Sequence, residues 1–555
     1  MTNKENEEKR YAANKGIKKT SLIPLEKEDI IFVKAKKYHQ RGEIIMAQGI
    51  LPYQYEMEKS ANNMTARAGL LLYLDLMKAM GLSRQIESEV RTRKDSQGWT
   101  DAQIIEALIL LNQAGGECVE DIDQLESDPG FAHVLEKLYT HGMKRRKRRE
   151  LTRRWRKEMK RRLPSRSAVF RYLSAYHNEE EEGERKPHKA FIPAANEQLK
   201  GLQKIIGVPV NFAQRHKVEK QATLDQDATL VETHKEESLA CYKGYKAYQP
   251  LNTYWAEHDM IIHSEFRDGN VPAGYEQLRV LQAALETLPA EVEKVYMRSD
   301  TAGYQWDLLK YCAQGQNERF GVIEFAIGAD VRKEFKQAAL EVPEKEWKPI
   351  RKKVAGKWED TGQEWAEVCY VPNKGAVSKK DPEYRYLATR ELLKEQIDLE
   401  GMKSEQKELP FPTMEFGSKG KYKIYGIVTN RDLFGEDLIL WYRQRCGKSE
   451  EAHAVMKEDL AGGKLPSGKF GANAAWWQIM ILALNINQAM KRLVLGKSWE
   501  PKRMKAIRYH IINVAGQVID LTRGLIVKIS CAQRSWETLV SARAKIMKLA
   551  PVPGG

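Results

Sequence analysis

Cysteine is sparse in this chain of 555 residues. Six cysteines occur, and none forms a Cys-x-x-Cys pair; they are scattered at positions 118, 241, 312, 369, 446 and 531. This distribution excludes a zinc ribbon and a disulfide framework, and it is typical of a reducing cytoplasm. The N-terminal segment MTNKENEEKRYAANKGIKK also lacks the apolar stretch of a signal peptide. We therefore expect a cytoplasmic protein.

Long apolar runs are absent as well. The most apolar segment, residues 474–484 (AAWWQIMILAL), is shorter than the roughly 20 residues that a membrane-spanning helix needs. Asn485 and Asn487 follow closely, so the segment is predicted to be a buried helix with Trp476 and Trp477 in the core. We expect no membrane partner.

Acidic residues are outnumbered by basic ones, 76 against 91, which gives a net charge of +15 and a pI of about 9.2. Such a balance favours a polyanionic partner, with nucleic acid ahead of a membrane surface. With 42% hydrophobic residues the chain can build cores, and its length suggests about three or four domains.

The positive charge is concentrated in residues 141–166, HGMKRRKRRELTRRWRKEMKRRLPSR, which contain fourteen Lys or Arg and only two Glu. A solvated basic helix or loop is one interpretation. The density favours contact with a DNA backbone, whose affinity should fall steeply with salt because bound cations are released. The residues expected to make this contact are Lys144, Arg145, Arg146, Lys147, Arg148, Arg149, Arg153, Arg154 and Arg156.

Hydrophobic periodicity and turn residues divide the chain into six segments. From Gln221 onward, three strands, a helix, a strand, a helix and a strand predict a mixed α/β sheet. Thr100 and Asp101 are typical of a helix start. The C-terminal segment either completes the core or mediates dimerisation. The segments are a charged arm (1–60), a helical, basic DNA-binding region (61–193), the first part of the core (194–345), a β-rich insertion (346–437), core helices (438–495) and C-terminal helices (496–555).

Three acidic positions stand out along the core. Asp225 and Asp227 lie two residues apart in the strand QATLDQDATLVET, so they share one face. Asp300 ends the strand of KVYMRSD, either as the cap of the following helix or as a functional carboxylate at a strand tip. Glu450 lies early in a predicted helix, with Glu451 as the alternative in the adjacent register. Asp225 is either a ligand or a partner of the ligand Asp227.

Carboxylates that converge from two strand tips and a helix suit hard cations such as Mg²⁺ or Mn²⁺. Two such ions can activate a water or hydroxyl and stabilise the leaving oxygen in phosphoryl transfer. Neither a nucleophile nor a base need then come from the protein. The lack of a Ser-His-Asp set, a P-loop or an HExxH motif is compatible with this chemistry.

The local context of these acids resembles the DDE-class transposases of bacterial insertion sequences, over roughly residues 65–495. Within this class the chain resembles the thirteen-eighty group, a relative of the insertion-sequence-four group. LDQDAT resembles the group's D-x-D-x-T strand, and VYMRSDTAGY its R-x-D-S-G-F motif, with a departure after the aspartate. IYGIVTN resembles the strand before its last helix, and GGECVEDIDQLESD and LPSRSAVFRYL its N-terminal helical region. YRQRCGKSEEAHAVMKEDLAGGKLPSGKFGANAAWW resembles its long Y-x-x-R-G…E…K…LPS…F-x-A-N signature.

The resemblance implies an RNase H-like core and metal ligation by Asp227, Asp300 and Glu450, with two Mg²⁺ or Mn²⁺ ions. It also implies that Tyr442, Arg445 and Lys457 contact the element's end. Four residues separate Arg445 from Glu450, where the related pattern has three, so the role of Arg445 is less securely carried over. Arg298 is either a sheet residue or a further phosphate contact, and His453 is expected to be a surface or hydrogen-bonded histidine without a metal role.

The sequence therefore predicts an α/β protein in which an RNase H-like core contains a β-rich insertion, follows a helical DNA-binding region and precedes C-terminal helices. The implied activity is transposition: cleavage at insertion-sequence ends and joining of the 3′-hydroxyl to target DNA. Double-stranded DNA is the expected partner, with a homodimer on DNA and a location at the bacterial nucleoid. Two alternatives remain: a metal-dependent nuclease with the same core, and a non-catalytic DNA-binding protein.

Overall fold

The computed structural model describes residues 63–92, 98–140, 143–146, 149, 161–354, 356–372, 382–393, 411–416, 420–522 and 524–551. The predicted N-terminal arm lies outside these residues. So do five members of the basic run: Lys147, Arg148, Arg153, Arg154 and Arg156.

Helices dominate the described part of residues 63–216. Thr100 caps one of them as predicted: its side chain accepts from the backbone N–H of Gln103, and the Gln103 side chain accepts from the N–H of Thr100. This reciprocal pair satisfies two donors that the first helical turn would leave unpaired. The elements are β1 (Met64–Thr65), α1 (Leu71–Met80), α2 (Leu82–Glu89), α3 (Asp101–Ala114), α4 (Ile122–Glu126), α5 (Pro129–Thr140), α6 (Arg166–Ser174), α7 (Glu179–Gly183), α8 (Glu197–Ile205) and α9 (Gly207–His216).

The core then follows the predicted order of strands and helices. Its elements are β2 (Gln221–Ala228), β3 (Val231–Glu232), β4 (Ala247–Tyr248), β5 (Leu251–Trp255), β6 (Met260–Glu265), α10 (Gln277–Glu286), β7 (Lys294–Ser299), α11 (Trp306–Ala313), β8 (Glu324–Ala329) and α12 (Lys333–Leu340). In space the strands run β6-β5-β2-β7-β8. The pairs β2–β7 and β7–β8 are parallel, whereas β5 and β6 are antiparallel to their neighbours. This arrangement confirms the predicted mixed α/β class.

The segment 346–437 continues the same sheet instead of forming a separate layer. Its strands are β9 (Lys348–Val354), β10 (Lys357–Glu367), β11 (Arg385–Leu392), β12 (Thr413–Glu415) and β13 (Lys421–Thr429). β13 pairs antiparallel with β8, and the order β13-β11-β10-β9 extends the sheet outward. The inserted strands therefore cover the β8 edge that the core would otherwise expose.

The remainder of the described chain is mostly helical. Its elements are α13 (Gly435–Arg443), α14 (Arg445–Ala454), a π-helical turn (Val455–Asp459), α15 (Phe470–Ala489), a second π-helical turn (Met490–Leu495), α16 (Met504–Ile507), a third (Arg508–Ile512), β14 (Ala515–Leu521), β15 (Gly524–Ser530) and α17 (Gln533–Leu549). The antiparallel hairpin β14–β15 was not expected within the predicted C-terminal helices.

Helix α15 is buried along its whole length and packs against α3, α6, α8, α9 and β6. The predicted core positions of Trp476 and Trp477 are confirmed, since both are about 1% exposed or less. Asn485 accepts from the N–H of Ile261 at 3.0 Å and donates to its carbonyl at 2.7 Å. The helix thereby satisfies backbone groups of β6, the outermost strand of the sheet on that side. In the described residues no helix combines the length and apolarity needed to cross a membrane.

Candidate active site

Two of the predicted carboxylates meet where β2 and β7 end. These parallel strands pair Asp225 with Arg298 and Gln226 with Ser299, so the next positions along them are Asp227 and Asp300. Parallel strands bring their carboxyl ends to one edge of a sheet, which is where polar sites of α/β folds are built. After their exposed first residues, Gln221 and Lys294, both strands are buried, and the chain becomes partly accessible again at Asp227 and Asp300.

Asp227 lies close to the side chains of Arg445 and His453, which are both on helix α14. Its Oδ2 lies 3.9 Å from Nη1 of Arg445 and 3.9 Å from Nδ1 of His453. The side chain keeps 18% of its surface exposed, in contrast to the fully buried residues before it in β2. A carboxylate that is partly accessible and close to a guanidinium is suited to bind a cation or to approach a phosphate with a charge partner at hand.

Asp300 fulfils one of the two roles that the sequence left open, that of a cap. Its side chain accepts from the backbone N–H of Ala302 at 3.0 Å and caps the short 3-10 turn Thr301–Gly303. Burial raises the pKa of Asp300, and the neighbouring charge of Asp227 raises it further, while Arg445 opposes both effects. A bound divalent cation would relieve the repulsion that the charge of Asp227 exerts on the Asp300 carboxylate.

Asp225 and Arg298 form a buried ion pair beneath this site. Nε and Nη2 of Arg298 donate to the two carboxylate oxygens of Asp225 at 2.6 and 2.8 Å, and Nη1 donates to the Trp441 carbonyl at 2.7 Å. Each residue is 1% exposed. The predicted phosphate contact by Arg298 does not fit this placement, because the guanidinium is enclosed and engaged within the protein. Of the two roles considered for Asp225, the pairing favours that of a partner beneath Asp227.

Glu450 lies on α14 with an exposed side chain. Among the described residues no three His, Cys, Asp or Glu side chains are grouped closely enough to hold a metal ion, so Glu450 does not join the two aspartates in this structure. Glu451 lines a cavity on another side of the helix with Lys448 and Lys491. Glu450 therefore remains the prediction for the third carboxylate.

The tyrosine and arginine of the predicted signature lie near the two aspartates. A Cβ on Gly328 would lie 3.1 Å from the Tyr442 hydroxyl and 3.0 Å from the backbone nitrogen of Thr301, so the hydroxyl approaches the turn that Asp300 caps. The Arg445 guanidinium lies 5.4 Å from the centre of the Tyr442 ring. Arg445 thus lies between this ring and the carboxylate of Asp227.

Lys457 is placed in the π-helical turn after α14, not on a continuous α-helical face with Glu450. Its Nζ lies 3.5 Å from the Leu230 carbonyl oxygen, just beyond the end of β2. The seven residues from Glu450 to Lys457 therefore do not form two regular α-helical turns. The lysine nevertheless lies on the β2 side of this helical segment.

The basic run is described only in part. Lys144, Arg145, Arg146 and Arg149 are all exposed, as a backbone-binding role requires. Exposure is also what a solvated basic surface would show, so their contact with DNA stays a prediction.

His453 is the functional candidate that the sequence did not reveal. It is buried, and burial lowers its pKa to about 4, with Lys457 adding to the effect, so the ring is neutral at pH 7. The Asn252 amide donates to Nε2 at 3.2 Å, which leaves the ring proton on Nδ1, the atom that faces Asp227. Asn252 accepts in turn from Ser264. Only the pairing of β5 with β2 brings Asn252 to this position, and no local signal in the sequence marks it.

Comparison with protein-family models identifies one class of protein. A family model described as "Transposase DDE domain group 1" matches residues 53–551. Among solved structures, the chain is similar to the cryo-EM structure of a piggyBac transposase synaptic complex with hairpin DNA, at 10% identity and a TM-score of 0.39, covering 88% of this chain and 82% of that chain. No curated protein matches the sequence.

Proposed function

The chain belongs to the DDE transposase family, and from that premise we propose that it cuts DNA at the ends of an insertion sequence and joins the freed 3′-hydroxyl to target DNA. Its substrate is double-stranded DNA, at the element's ends and at the target. Because two ends must be brought together, the protein acts as a homodimer on DNA, in the bacterial cytoplasm at the nucleoid. The assignment to the thirteen-eighty group remains part of this proposal.

The observation that carries the proposal is the meeting of Asp227 and Asp300 at adjacent strand ends beside Arg445. Oxygen ligands of this kind suit Mg²⁺ or Mn²⁺, and the charge of Asp227 adds to the rise in the pKa of Asp300 that burial causes. We assign the metal-holding role to these two aspartates and, by its motif, to Glu450. Two bound ions would supply an activated water or hydroxyl and stabilise the leaving oxygen.

The protein's own groups orient the DNA around these acids. Arg445, close to Asp227, offers a guanidinium that can bind a phosphate in bidentate fashion. Tyr442 contributes a hydroxyl near the Asp300 turn, and Lys457 a point charge beyond the end of β2. The exposed basic residues near position 145 hold the duplex through its backbone.

A cleavage assay on the DNA that flanks the gene tests this function. Labelled duplexes of each flank are incubated with the purified protein in Mg²⁺, Mn²⁺ or EDTA, with Asp300→Asn in parallel. We expect metal-dependent cleavage at one defined position, absent from the variant, which keeps the cap to Ala302 through its amide oxygen. Equal cleavage by the variant would mean that Asp300 is only a cap and has no catalytic role. Tight metal-independent binding without cleavage would instead support the non-catalytic alternative.

A further inference from the structure

A chain of four buried polar side chains leads from the core helix α15 towards Asp227. It begins at Trp477 on α15, whose indole donates to Oγ of Ser264 on β6 at 3.0 Å. Ser264 donates to Oδ1 of Asn252 on β5 at 2.7 Å, and Nδ2 of Asn252 donates to Nε2 of His453 at 3.2 Å. Each of the four is at most 8% exposed. The chain ends at Nδ1 of His453, which lies 3.9 Å from Oδ2 of Asp227.

The register of the sheet places part of this chain in one row. Asp227 is paired with Asn252 across β2 and β5, and Asn252 is paired with Ser264 across β5 and β6. Residues directly opposite each other in antiparallel strands have their side chains on the same face of the sheet. Asp227, Asn252 and Ser264 therefore lie side by side, and a shift of either pairing by one residue would destroy the row.

The indole of Trp477 sets the direction of the hydrogen bonds that follow. An indole N–H can only donate, so Ser264 accepts from it and keeps its own proton for Asn252. With the Asn252 amide turned around, Ser264 would receive two donors, and its hydroxyl proton would have no acceptor among the described residues. The amide nitrogen therefore faces His453.

The same reasoning places the proton of the His453 ring. Nε2 accepts from Asn252 and so carries no proton, which leaves the ring neutral with its proton on Nδ1. This N–H is on the side of Asp227. The separation of 3.9 Å is longer than a direct hydrogen bond, so the contact in this structure is electrostatic. Nη1 of Arg445 lies at the same distance from the same oxygen, Oδ2. Two donor groups near one oxygen favour one orientation of the carboxylate.

A purely structural role does not require these polar groups. Apolar side chains of similar shape could hold α15, the sheet and α14 together about as well, because paired hydrogen bonds in a core contribute little net stability. Here the hydrogen bonds instead lead to Asp227, which is partly exposed, whereas its neighbour Asp225 in β2 is buried. A satisfied polar network of this kind makes the position of its members precise.

We propose that His453 is a positioning residue for Asp227: held by Asn252, it fixes the carboxylate in the orientation in which a divalent cation binds. The inference rests on the proposed function, because it takes Asp227 to be a metal ligand. Loss of a partner that orients a metal ligand typically lowers metal affinity by about 10–100-fold. The role belongs to the neutral ring and does not require His453 to bind metal or DNA.

Two amide substitutions separate the two nitrogens of His453. His453→Asn can place its amide nitrogen where Nδ1 lies, so it keeps a donor towards Asp227. His453→Gln reaches the position of Nε2 instead, so it keeps the contact with Asn252 and loses that donor. Electron paramagnetic resonance of free Mn²⁺ measures the affinity of the full-length protein for the ion without DNA. We expect the Mn²⁺ dissociation constant to rise about tenfold or more in His453→Gln and in Asn252→Leu, and to rise less in His453→Asn.

Asn485→Leu is the matched control. Asn485 is also a fully buried asparagine, and it is hydrogen-bonded to the backbone of Ile261 on β6, away from Asp227. This variant should unfold at a lower temperature and bind Mn²⁺ as the wild type does. Asp227→Asn should lose the bound ion, which locates it. If His453→Gln also unfolds at a lower temperature but keeps the wild-type affinity for Mn²⁺, its role is structural and the inference is overturned.

Cleavage of the flanking DNA over a range of Mn²⁺ concentrations separates this inference from the proposed function. The positioning role predicts that His453→Gln needs a higher Mn²⁺ concentration for half-maximal cleavage. Cleavage by the wild type, with an unchanged half-saturating concentration in His453→Gln, would overturn the positioning role and leave the proposed function standing. A wild type that neither cleaves nor binds Mn²⁺ would contradict the proposed function, and the inference with it.

Discussion

Burial raises the pKa of Asp300 and the charge of Asp227 raises it further, whereas Arg445 and the hydrogen bond from the Ala302 N–H oppose the rise. An acid whose pKa is raised on folding destabilises the native state once the pH exceeds its unfolded value, near 3.8. The destabilisation is complete above the raised pKa and disappears below 3.8. Catalytic groups commonly lower stability in this way.

Replacing this carboxylate by its neutral isostere should therefore stabilise the protein. We predict that Asp300→Asn raises the free energy of unfolding at pH 7 by about 0.5–2 kcal/mol, and that the gain vanishes as the pH falls through 3.8. Urea unfolding at several pH values measures this. Asp432→Asn, at an exposed aspartate, should change little at any pH. A lower stability of Asp300→Asn at pH 7 would contradict the electrostatic account.

The buried pair of Arg298 with Asp225 gives a second prediction at this scale. Arg298→Met should lower the free energy of unfolding by about 3–5 kcal/mol, because it leaves the Asp225 charge buried and alone. The double variant with Asp225→Leu should recover much of this loss. If Arg298 were instead a phosphate contact, Arg298→Met would keep the wild-type free energy of unfolding and would lose only affinity for DNA.

At the residue scale, spacing and motif were enough to single out Asp227 and Asp300. They could not separate Asp225 from Asp227, because the distinction depends on Arg298, 73 positions from Asp225 in the sequence. The position of His453 depends likewise on Asn252, across another strand pair. These contacts depend on how strands distant in the sequence pair with each other, and a local sequence pattern does not reveal that pairing.

Helix α14 carries both candidates for the third carboxylate, Glu450 and Glu451. We predict that Glu450→Gln lowers cleavage by more than the roughly 100-fold that loss of an outer partner of a metal ligand costs. Glu451→Gln is the matched control, since Glu451 lines a cavity with Lys448 and Lys491. Single-turnover cleavage of the flanking duplex measures both. Equal losses of cleavage activity would mean that the helix tolerates neither substitution. A loss confined to Glu451→Gln would identify Glu451, not Glu450, as the third carboxylate.

At the element scale, the strongly periodic or strongly apolar segments were predicted and the exposed ones were not. The cap at Thr100 and the buried helix α15 followed from local chemistry and composition. The hairpin β14–β15 was taken for helix, because its second strand, GLIVKIS, combines apolar residues on both faces with high exposure. A short apolar run of this kind has no period that distinguishes strand from helix.

At the scale of the whole molecule, the prediction of DNA binding rests on the net charge of +15 and on the exposed basic residues near position 145. We predict that replacing Lys144, Arg145, Arg146 and Arg149 by alanine lowers the slope of log affinity against log salt by about 3–4, one counterion for each lost phosphate contact. Filter binding or anisotropy over a range of salt concentrations measures the slope. Cleavage at saturating protein should be retained. An unchanged slope would show a solvated basic surface with no role in binding.

The architecture as a whole was predictable because the order of strands and helices after Gln221 admits few topologies. The role of the insertion was not predictable, because nothing in the sequence of residues 346–437 indicates that they extend the sheet from β8. Which strand of an insertion pairs with a core edge is decided by tertiary packing.

Strand transfer is the measurement that tests the central claim most directly. A pre-cut element end with a free 3′-hydroxyl is incubated with target plasmid and Mg²⁺, beside an end that lacks the hydroxyl, using the wild type and Asp227→Asn. The account predicts joined products only with the wild type and the hydroxyl-bearing end. Cleavage of the flanking DNA without any joining would contradict it and identify a nuclease with the same core.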